Sequence, residues 1–145
     1  HLHNDQLMAY MHTNHLLAEK TKLTWPDFRQ EKVIKFDESF MIHHLLNNKF
    51  NTYNSHPRHA IYSSSWDFFI EAIKTNDLVT ILPRPVMDFI RGDIIVERPI
   101  ENTINWDVVA AFPKKNSYTT LETYVIDSLN VYFNNGKAIT AIGSK

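Results

Sequence analysis

The chain contains no cysteine, and glycine is scarce, with three residues in 145. Without cysteine there can be no disulfide, no thiol nucleophile and no thiolate metal ligand. None of the glycines, Gly92, Gly136 and Gly143, lies between a predicted strand and a predicted helix, where a phosphate-binding loop requires them. We therefore do not expect a dinucleotide-binding protein or a P-loop protein.

Long apolar runs are also missing, since no stretch reaches the roughly 18 residues of a membrane-spanning helix. No signal peptide is visible. Neither sign of charge dominates, because the chain has 15 Lys and Arg residues and 16 Asp and Glu residues, which gives a formal net charge of −1. The basic residues are not clustered, so we expect no nucleic-acid contact by this chain itself. We expect a cytoplasmic location and no membrane partner.

Residues 59–90 carry the most regular pattern, which predicts a strand, a helix, a second strand and a short helical return. Ser64 is placed to cap the helix, with Asp67 as its partner three residues later. The apolar residues of this helix recur at i, i+3, i+4 and i+7: Trp66, Phe69, Ile70 and Ile73. Residues 78–82 are a β-branched run that Pro83 ends, which is typical of a buried strand. Such a strand–helix–strand unit predicts parallel strands.

The remaining segments continue this alternation. Further strands are predicted over residues 7–12, 30–36, 94–98 and 106–112, and further helices over 40–49 and 119–133. Asp37 or Ser39 can cap the earlier of these helices, whose inward stripe is Met41, Ile42, Leu45 and Leu46. Thr119 and Glu122 form a capping box at the start of the last helix. The order of elements predicts an α/β fold.

A change in composition near residues 89–92 suggests a division of the chain. We interpret residues 7–91 as a complete α/β lobe, residues 92–135 as part of a second lobe, and residues 136–145 as a tail. An incomplete lobe leaves apolar faces and strand edges uncovered near residues 94–96 and 108–111. We therefore expect self-association into dimers or larger species.

The eight histidines raise the question of a metal site. His12 and His15 form one closely spaced pair, and His56 and His59 form another. A zinc site needs three or four ligands, and neither pair is predicted on one face of a helix. We expect surface histidines, no metal and no cofactor. The sequence also offers no nucleophile–base pair and no close carboxylate pair, so we do not expect an enzyme.

Four segments in order resemble the effector-binding region of LysR-type transcriptional regulators. They are LMAYMHTNHLLA from residue 7, LTWPDFRQEKVIKFDESFMIHHLL from 23, YSSSWDFFIEAIKTNDLVTILPRPVMD from 62 and WDVVAAFPKKNSYTTLETYVIDSL from 106. The chain departs from the family pattern at Asn76 and Asp77, where glycines are usual. The resemblance implies a lobe of the type 2 periplasmic-binding-protein fold, with a mixed, mostly parallel sheet flanked by helices, plus part of a second lobe.

The resemblance also implies the organisation of the chain. Residues 7–91 would be the second regulatory subdomain, and residues 92–135 the C-terminal part of the first. The chain would be a regulatory fragment without the first half of the first subdomain. It would also lack the helix-turn-helix domain, through which such regulators contact DNA.

In this family two lobes close on a small-molecule effector, and the resemblance assigns part of that site to Ser39, Phe40 and Met41. A helix N-terminus suits an anion, because its N–H groups are unpaired and its dipole end is positive. The alternative is that Ser39 only caps its helix and Phe40 only packs. Ser64 and Ser65 open the next helix, where capping is the stronger interpretation.

Pro83 and Arg84 follow a strand end, where open α/β sheets bind ligands. Arg84 can hold a carboxylate through two parallel hydrogen bonds, or it can be a solvated charge. The leading hypothesis is thus a sensor of an anionic effector. A fragment of a transporter's solute-binding protein and a fragment of an α/β enzyme are the alternatives.

Overall fold

The computed structural model describes residues 3–75, 77–84, 93–113 and 117–134. The chain divides into two compact units, a larger one over Gln6–Ile104 and a smaller one over His1–Asp5 with Asn105–Lys145. Residues 93–104 fall within the larger unit. They do so because the strand they contain pairs with the first strand of the chain.

The described residues form six strands, three α-helices and two short 3-10 helices. The strands are β1 (His3–His12), β2 (Lys32–Phe36), β3 (His59–Ser63), β4 (Leu78–Pro83), β5 (Ile95–Pro99) and β6 (Asn105–Val108). The helices are α1 (Met41–Thr52), α2 (Trp66–Ala72) and α3 (Thr120–Asn134), and the 3-10 helices span Leu16–Glu19 and Trp25–Gln30. Every predicted strand and helix on these residues is present, so the α/β prediction is confirmed.

The sheet is mixed, with the order β3-β2-β4-β1-β5, and β6 pairs with β1 outside this order. β2 pairs in parallel with β3 and with β4. β1 is antiparallel to both β4 and β5. The prediction that β3 and β4 run in the same direction is confirmed, although β2 lies between them. The carboxyl ends of β3, β2 and β4 therefore meet at one edge of the sheet.

β2 is buried on both faces, and its alternating residues contact different helices. Lys35 points toward α1, where its ammonium hydrogen-bonds to the side chain of Asn47. Phe36 points to the opposite face, where its ring stacks on Phe69 of α2, with centroids 4.4 Å apart. The two helices thus cover opposite faces of the sheet.

The start of α1 differs from the prediction. The residue preceding the helix is Phe40, which makes no side-chain capping hydrogen bond. Asp37 instead accepts hydrogen bonds from the backbone N–H and the hydroxyl of Ser39. An aspartate bonded two residues ahead closes a local turn, and this turn competes with capping. The prediction that Asp37 or Ser39 caps α1 was therefore wrong.

The inward stripe of α1 is also shifted along the helix from the predicted one. Its buried residues are Ile42, Leu46 and Phe50. Met41, which was expected to face inward, is 68% exposed. Because α1 extends to Thr52 rather than ending near residue 49, Phe50 becomes its last buried anchor.

The caps of α2 and α3 agree with the predictions more closely than that of α1. In α2 the capping residue is Ser65, whose hydroxyl accepts from the N–H of Phe68 at 3.4 Å, so the assignment to Ser64 was off by one residue. The capping box of α3 is confirmed, since Thr119 and Glu122 each bond the other's backbone N–H. β6 is shorter than the predicted strand over 106–112. The predicted helical return after Arg84 and the tail over 136–145 lie outside the described residues.

Candidate functional site

The predicted site residues lie along one edge of the sheet. β2, β3 and β4 end at Phe36, Ser63 and Pro83, and these strands are parallel and adjacent in the order β3-β2-β4. Ser39 to Met41 follow the end of β2, Ser64 and Ser65 follow the end of β3, and Pro83 and Arg84 occur at the end of β4. Open α/β sheets bind ligands outside the carboxyl ends of their strands.

Four aromatic side chains at this edge form a cluster, which we call the aromatic cluster: Phe36, Phe40, Trp66 and Phe69. The ring of Phe36 is central, with centroid distances of 4.5 Å to Phe40 and 4.8 Å to Trp66. Phe36 and Phe69 are buried, whereas Trp66 is 42% exposed and Phe40 is half-buried. The cluster therefore joins the starts of α1 and α2 and presents an apolar surface beside them.

The N-terminus of α1 offers hydrogen-bond donors next to this surface. Among the residues that the structure describes, no acceptor bonds the backbone N–H of Met41 or Ile42. Unpaired N–H groups at a helix start carry partial positive charge and attract anions. Phe40 lies at the same position, so the donors and the apolar wall are adjacent.

Ser39 is exposed, but its hydroxyl is already engaged by Asp37. The hydrogen bonds from the side chain and then the backbone of Ser39 lower the pKa of Asp37 below its ordinary value. Asp37 is therefore ionised at neutral pH and accepts the hydrogen bond that the Ser39 hydroxyl donates. A ligand that takes this hydroxyl must compete with the carboxylate, so Ser39 is a weaker donor than the free backbone N–H groups.

The serines at the start of α2 have separate roles. Ser65 caps the helix, and the hydroxyl of Ser63 accepts from the N–H of Ser65 at 3.1 Å. Ser64 is exposed, and its side chain makes no hydrogen bond to the described part of the chain. Capping therefore accounts for Ser65, and Ser64 is the free hydroxyl of the three.

Pro83 and Arg84 occupy the end of β4. Pro83 is buried within the strand, and its carbonyl and that of Arg84 lie 3.5 and 3.2 Å from the hydroxyl of Tyr10. The Arg84 side chain is 58% exposed, with its Nε 3.7 Å from a carboxylate oxygen of Glu97. A long ion pair at an exposed position is weak, so the guanidinium remains open to another anion.

The structure thus brings the start of α1 and the start of α2 together through the aromatic cluster. No ring contact of that cluster reaches Arg84 within the described residues. Sequence reasoning missed the exposed part of Trp66, because the helical stripe assigned this residue to the core. Its position directly after a strand end and a cap was the signal that could have identified it.

His12 and His15, the first of the two predicted pairs, both have hydrogen-bond partners. The Nδ1 of His12 accepts from the N–H of Asn14 at 3.0 Å. His15 is buried, with Nδ1 accepting from the N–H of Leu17 and Nε2 3.3 Å from a carboxylate oxygen of Glu31. The expectation of surface histidines was therefore wrong for His15. Over the described ranges, no three or more metal-ligating side chains are grouped to hold an ion.

Within the described segments, no helix combines the length and the apolar character needed to cross a bilayer.

Comparison with known proteins identifies the family. Residues 1–129 match the family described as LysR substrate binding domain, and the chain belongs to this family. No curated protein matches the chain. The mixed six-stranded sheet with flanking helices is the α/β fold of these domains, of the type 2 periplasmic-binding-protein kind.

Several solved structures share this fold. The regulatory domain of CcmR from Synechocystis, in complex with 2-PG, has a TM-score of 0.73 at 14% identity, covering 94% of this chain and 67% of that one. The effector binding domain of QuiR, in complex with shikimate, has a TM-score of 0.64 at 15% identity, with coverages of 93% and 64%. The regulatory domain of MetR from N. meningitidis has a TM-score of 0.62 at 21% identity, with coverages of 72% and 49%. The chain thus spans about half the length of the MetR regulatory domain.

Proposed function

We propose that this chain is an effector-sensing part of a LysR-type transcriptional regulator, and that the sheet edge after β2, β3 and β4 forms one wall of its effector site. Membership of the LysR substrate binding domain family supports the regulatory role. Two proteins of similar fold, CcmR and QuiR, hold the small molecules 2-PG and shikimate.

One observation supports the proposed position of the effector site. The N–H groups of Met41 and Ile42, which have no acceptor among the described residues, directly follow Phe40, whose half-buried ring packs on Phe36 as does the partly exposed ring of Trp66. Donors beside an apolar wall suit a ligand with an anionic group and an apolar body. Arg84, at the end of the adjacent strand, is a second candidate partner for a carboxylate. The effector we propose is therefore a compact organic anion.

The proposed mechanism is a shift in population. In this mechanism, residues 6–104 act as the second regulatory subdomain, and residues 105–134 belong to the first. An effector that binds one arrangement of the two subdomains better than another stabilises that arrangement. The change would reach DNA through a helix-turn-helix domain outside this chain. In this mechanism the site binds and releases its ligand without making or breaking a covalent bond.

A thermal-shift screen of small carboxylates tests this proposal, because a ligand that binds the native state raises the melting temperature. The screen should use the chain and any longer natural protein that contains it. We expect at least one carboxylate to raise the melting temperature of the wild type but not that of the Ser39→Ala and Phe40→Ala double variant. The control is Leu16→Ala, which also removes an exposed apolar side chain, but far along the sequence from the site. An equal rise in melting temperature in the double variant would refute the proposed position of the effector site.

A further inference from the structure

A second depression opens on the opposite face of β2, on the side covered by α1. It has a volume of about 370 Å³, and its polar lining side chains are Lys35, Asn47, Asn51, His56 and Tyr62. Lys35 and Phe36 are consecutive in a strand, so their side chains point to opposite faces of the sheet. The depression is therefore separate from the aromatic cluster and the start of α1.

The ammonium group of Lys35 is the central feature of this depression. The residue is only 4% exposed. Its Nζ donates to Asn47 Oδ1 at 2.8 Å and lies 5.3 Å from the ring centroid of Tyr62 and 5.4 Å from that of Phe50. Across the described residues no carboxylate forms an ion pair with it. Burial lowers the pKa of Lys35, as expected for a charge without a counter-ion.

A chain of hydrogen bonds fixes the orientation of Asn47. The Nδ1 of His43 lies 2.8 Å from the carbonyl of Phe36, which can only accept, so Nδ1 carries the proton. The Nε2 of a neutral His43 then accepts from the Asn47 amide at 2.8 Å. The amide oxygen of Asn47 is thereby turned to Lys35. An ammonium has three N–H donors, so two remain for another acceptor.

Further side chains that can donate hydrogen bonds line the depression, among them those of Asn51 and His56. The side chains of Asn51 and His56 make no hydrogen bond to any residue in the described ranges. No aspartate or glutamate is among the lining residues. A buried cation with free donors nearby is stabilised most by an anion that can accept several hydrogen bonds.

We propose that this depression is a second ligand site, which binds a compact oxyanion, with Lys35 as the charged partner and Asn51 and His56 as hydrogen-bond donors. Carboxylate and phosphate groups share the required chemistry, namely negative charge and several acceptor oxygens. The volume also suits a small molecule rather than a polymer, since ligand pockets occupy about 300–1,000 Å³.

The test is a titration of the folded chain with inorganic phosphate and, separately, with acetate, at constant ionic strength. Nuclear magnetic resonance of the Asn51 side-chain amide reports binding at this site. We expect a saturable shift with a dissociation constant below about 1 mM for at least one of the two anions. A response to phosphate alone assigns the phosphate class, and a response to acetate alone assigns the carboxylate class.

Substitutions of the lining residues test which side chains bind the anion. Lys35→Met should weaken binding by about tenfold or more, and His56→Ala by several-fold, with binding read from the backbone amide of residue 51. Asn48→Ala is the matched control for Asn51→Ala, because Asn48 lies on the same helix and is exposed outside the lining. The control should leave the dissociation constant within about twofold.

Several outcomes would overturn the proposal. One is the absence of a saturable shift with both anions, and another is equal affinity in Asn51→Ala and Asn48→Ala. If Lys35→Met does not fold, Asn51→Ala and His56→Ala decide the question, since neither side chain supports the described structure through a hydrogen bond. Loss of the Asn51 response in the Ser39→Ala and Phe40→Ala double variant would assign the anion to the effector site instead.

Discussion

The ring of Phe36, the last residue of β2, lies 4.5 Å from the ring of Phe40, the residue that precedes α1. This contact spans the turn in which Asp37 bonds Ser39. It holds the N-terminus of α1 against the end of β2. The position of the free N–H groups of α1 is therefore fixed by the packing of two phenylalanines rather than by a capping side chain.

The aromatic cluster should contribute strongly to stability through its buried members. Phe69 is fully buried and stacks on Phe36, whereas its neighbour Phe68 is 47% exposed. We expect Phe69→Ala to lower the free energy of unfolding by about 3–5 kcal/mol, because it leaves a cavity in a packed core. Urea unfolding measures this loss. Phe68→Ala is the control, and equal losses in the two variants would contradict the packing described.

The Tyr10 hydroxyl should stabilise the end of β4. The ring of Tyr10 is fully buried, and its hydroxyl donates to the carbonyl oxygen of Arg84 at 3.2 Å. We expect Tyr10→Phe to cost about 1 kcal/mol of unfolding free energy, since the carbonyl loses a donor. The hydroxyl of Tyr118 bonds the carbonyl of Pro113 at an exposed position, so Tyr118→Phe should cost less. Chemical denaturation compares the two, and the reverse order would refute the expectation.

Asp27 should make stability depend on acid pH. Burial alone would raise the pKa of Asp27, but hydrogen bonds from Lys20 and from the backbone and hydroxyl of Thr24 outweigh it and lower the pKa. A carboxyl whose folded pKa is depressed stabilises the protein above its unfolded pKa of about 3.9. That contribution is lost as the pH falls through the lower, folded pKa.

The variant Asp27→Asn tests this dependence. Asp27 accepts from the backbone N–H of Thr24, the N-cap residue of the 3-10 helix Trp25–Gln30. We expect the variant to be less stable than the wild type at pH 7 by about 1 kcal/mol, the typical value of a capping interaction. The difference should shrink once the pH falls below about 3.9, because the Asp27 carboxyl of the unfolded chain then takes up a proton while the folded carboxyl, with its lower pKa, is still ionised. Glu71→Gln is the control, as Glu71 forms an exposed pair with Lys74. A difference that stays constant down to acid pH would contradict the assignment.

The local elements were predictable because their signals are local. The β-branched run before Pro83 and the capping box at Thr119 depend on neighbours within a few residues. The insertion of β2 between β3 and β4 was not predictable, since pairing across the sheet depends on contacts far apart in sequence. The start of α1 was mispredicted because Asp37 and Ser39 are both capping residues, and they satisfied each other instead.

The candidate site was partly predictable for a similar reason. Pro83 and Arg84 were selected because ligands collect at the ends of strands in open α/β sheets. Ser39, Phe40 and Met41 were selected from the family resemblance, and Ser64 and Ser65 because they open a helix. The observed strand directions place all of these residues at one edge of the sheet. Lys35 was not selected, because a lysine in an apolar run ordinarily faces solvent. Its burial depends on how closely α1 and the loop near His56 approach the strand, which no short pattern encodes.

Mapping the bound effector by its effect on backbone amides tests the central claim most directly. With the ligand found in the carboxylate screen, we predict the largest chemical-shift changes at the N–H groups of Met41 and Ile42. We also predict that Phe40→Ala weakens its affinity by about tenfold. Saturable binding that leaves those two amides unchanged, or that retains full affinity in Phe40→Ala, would contradict the proposed effector site.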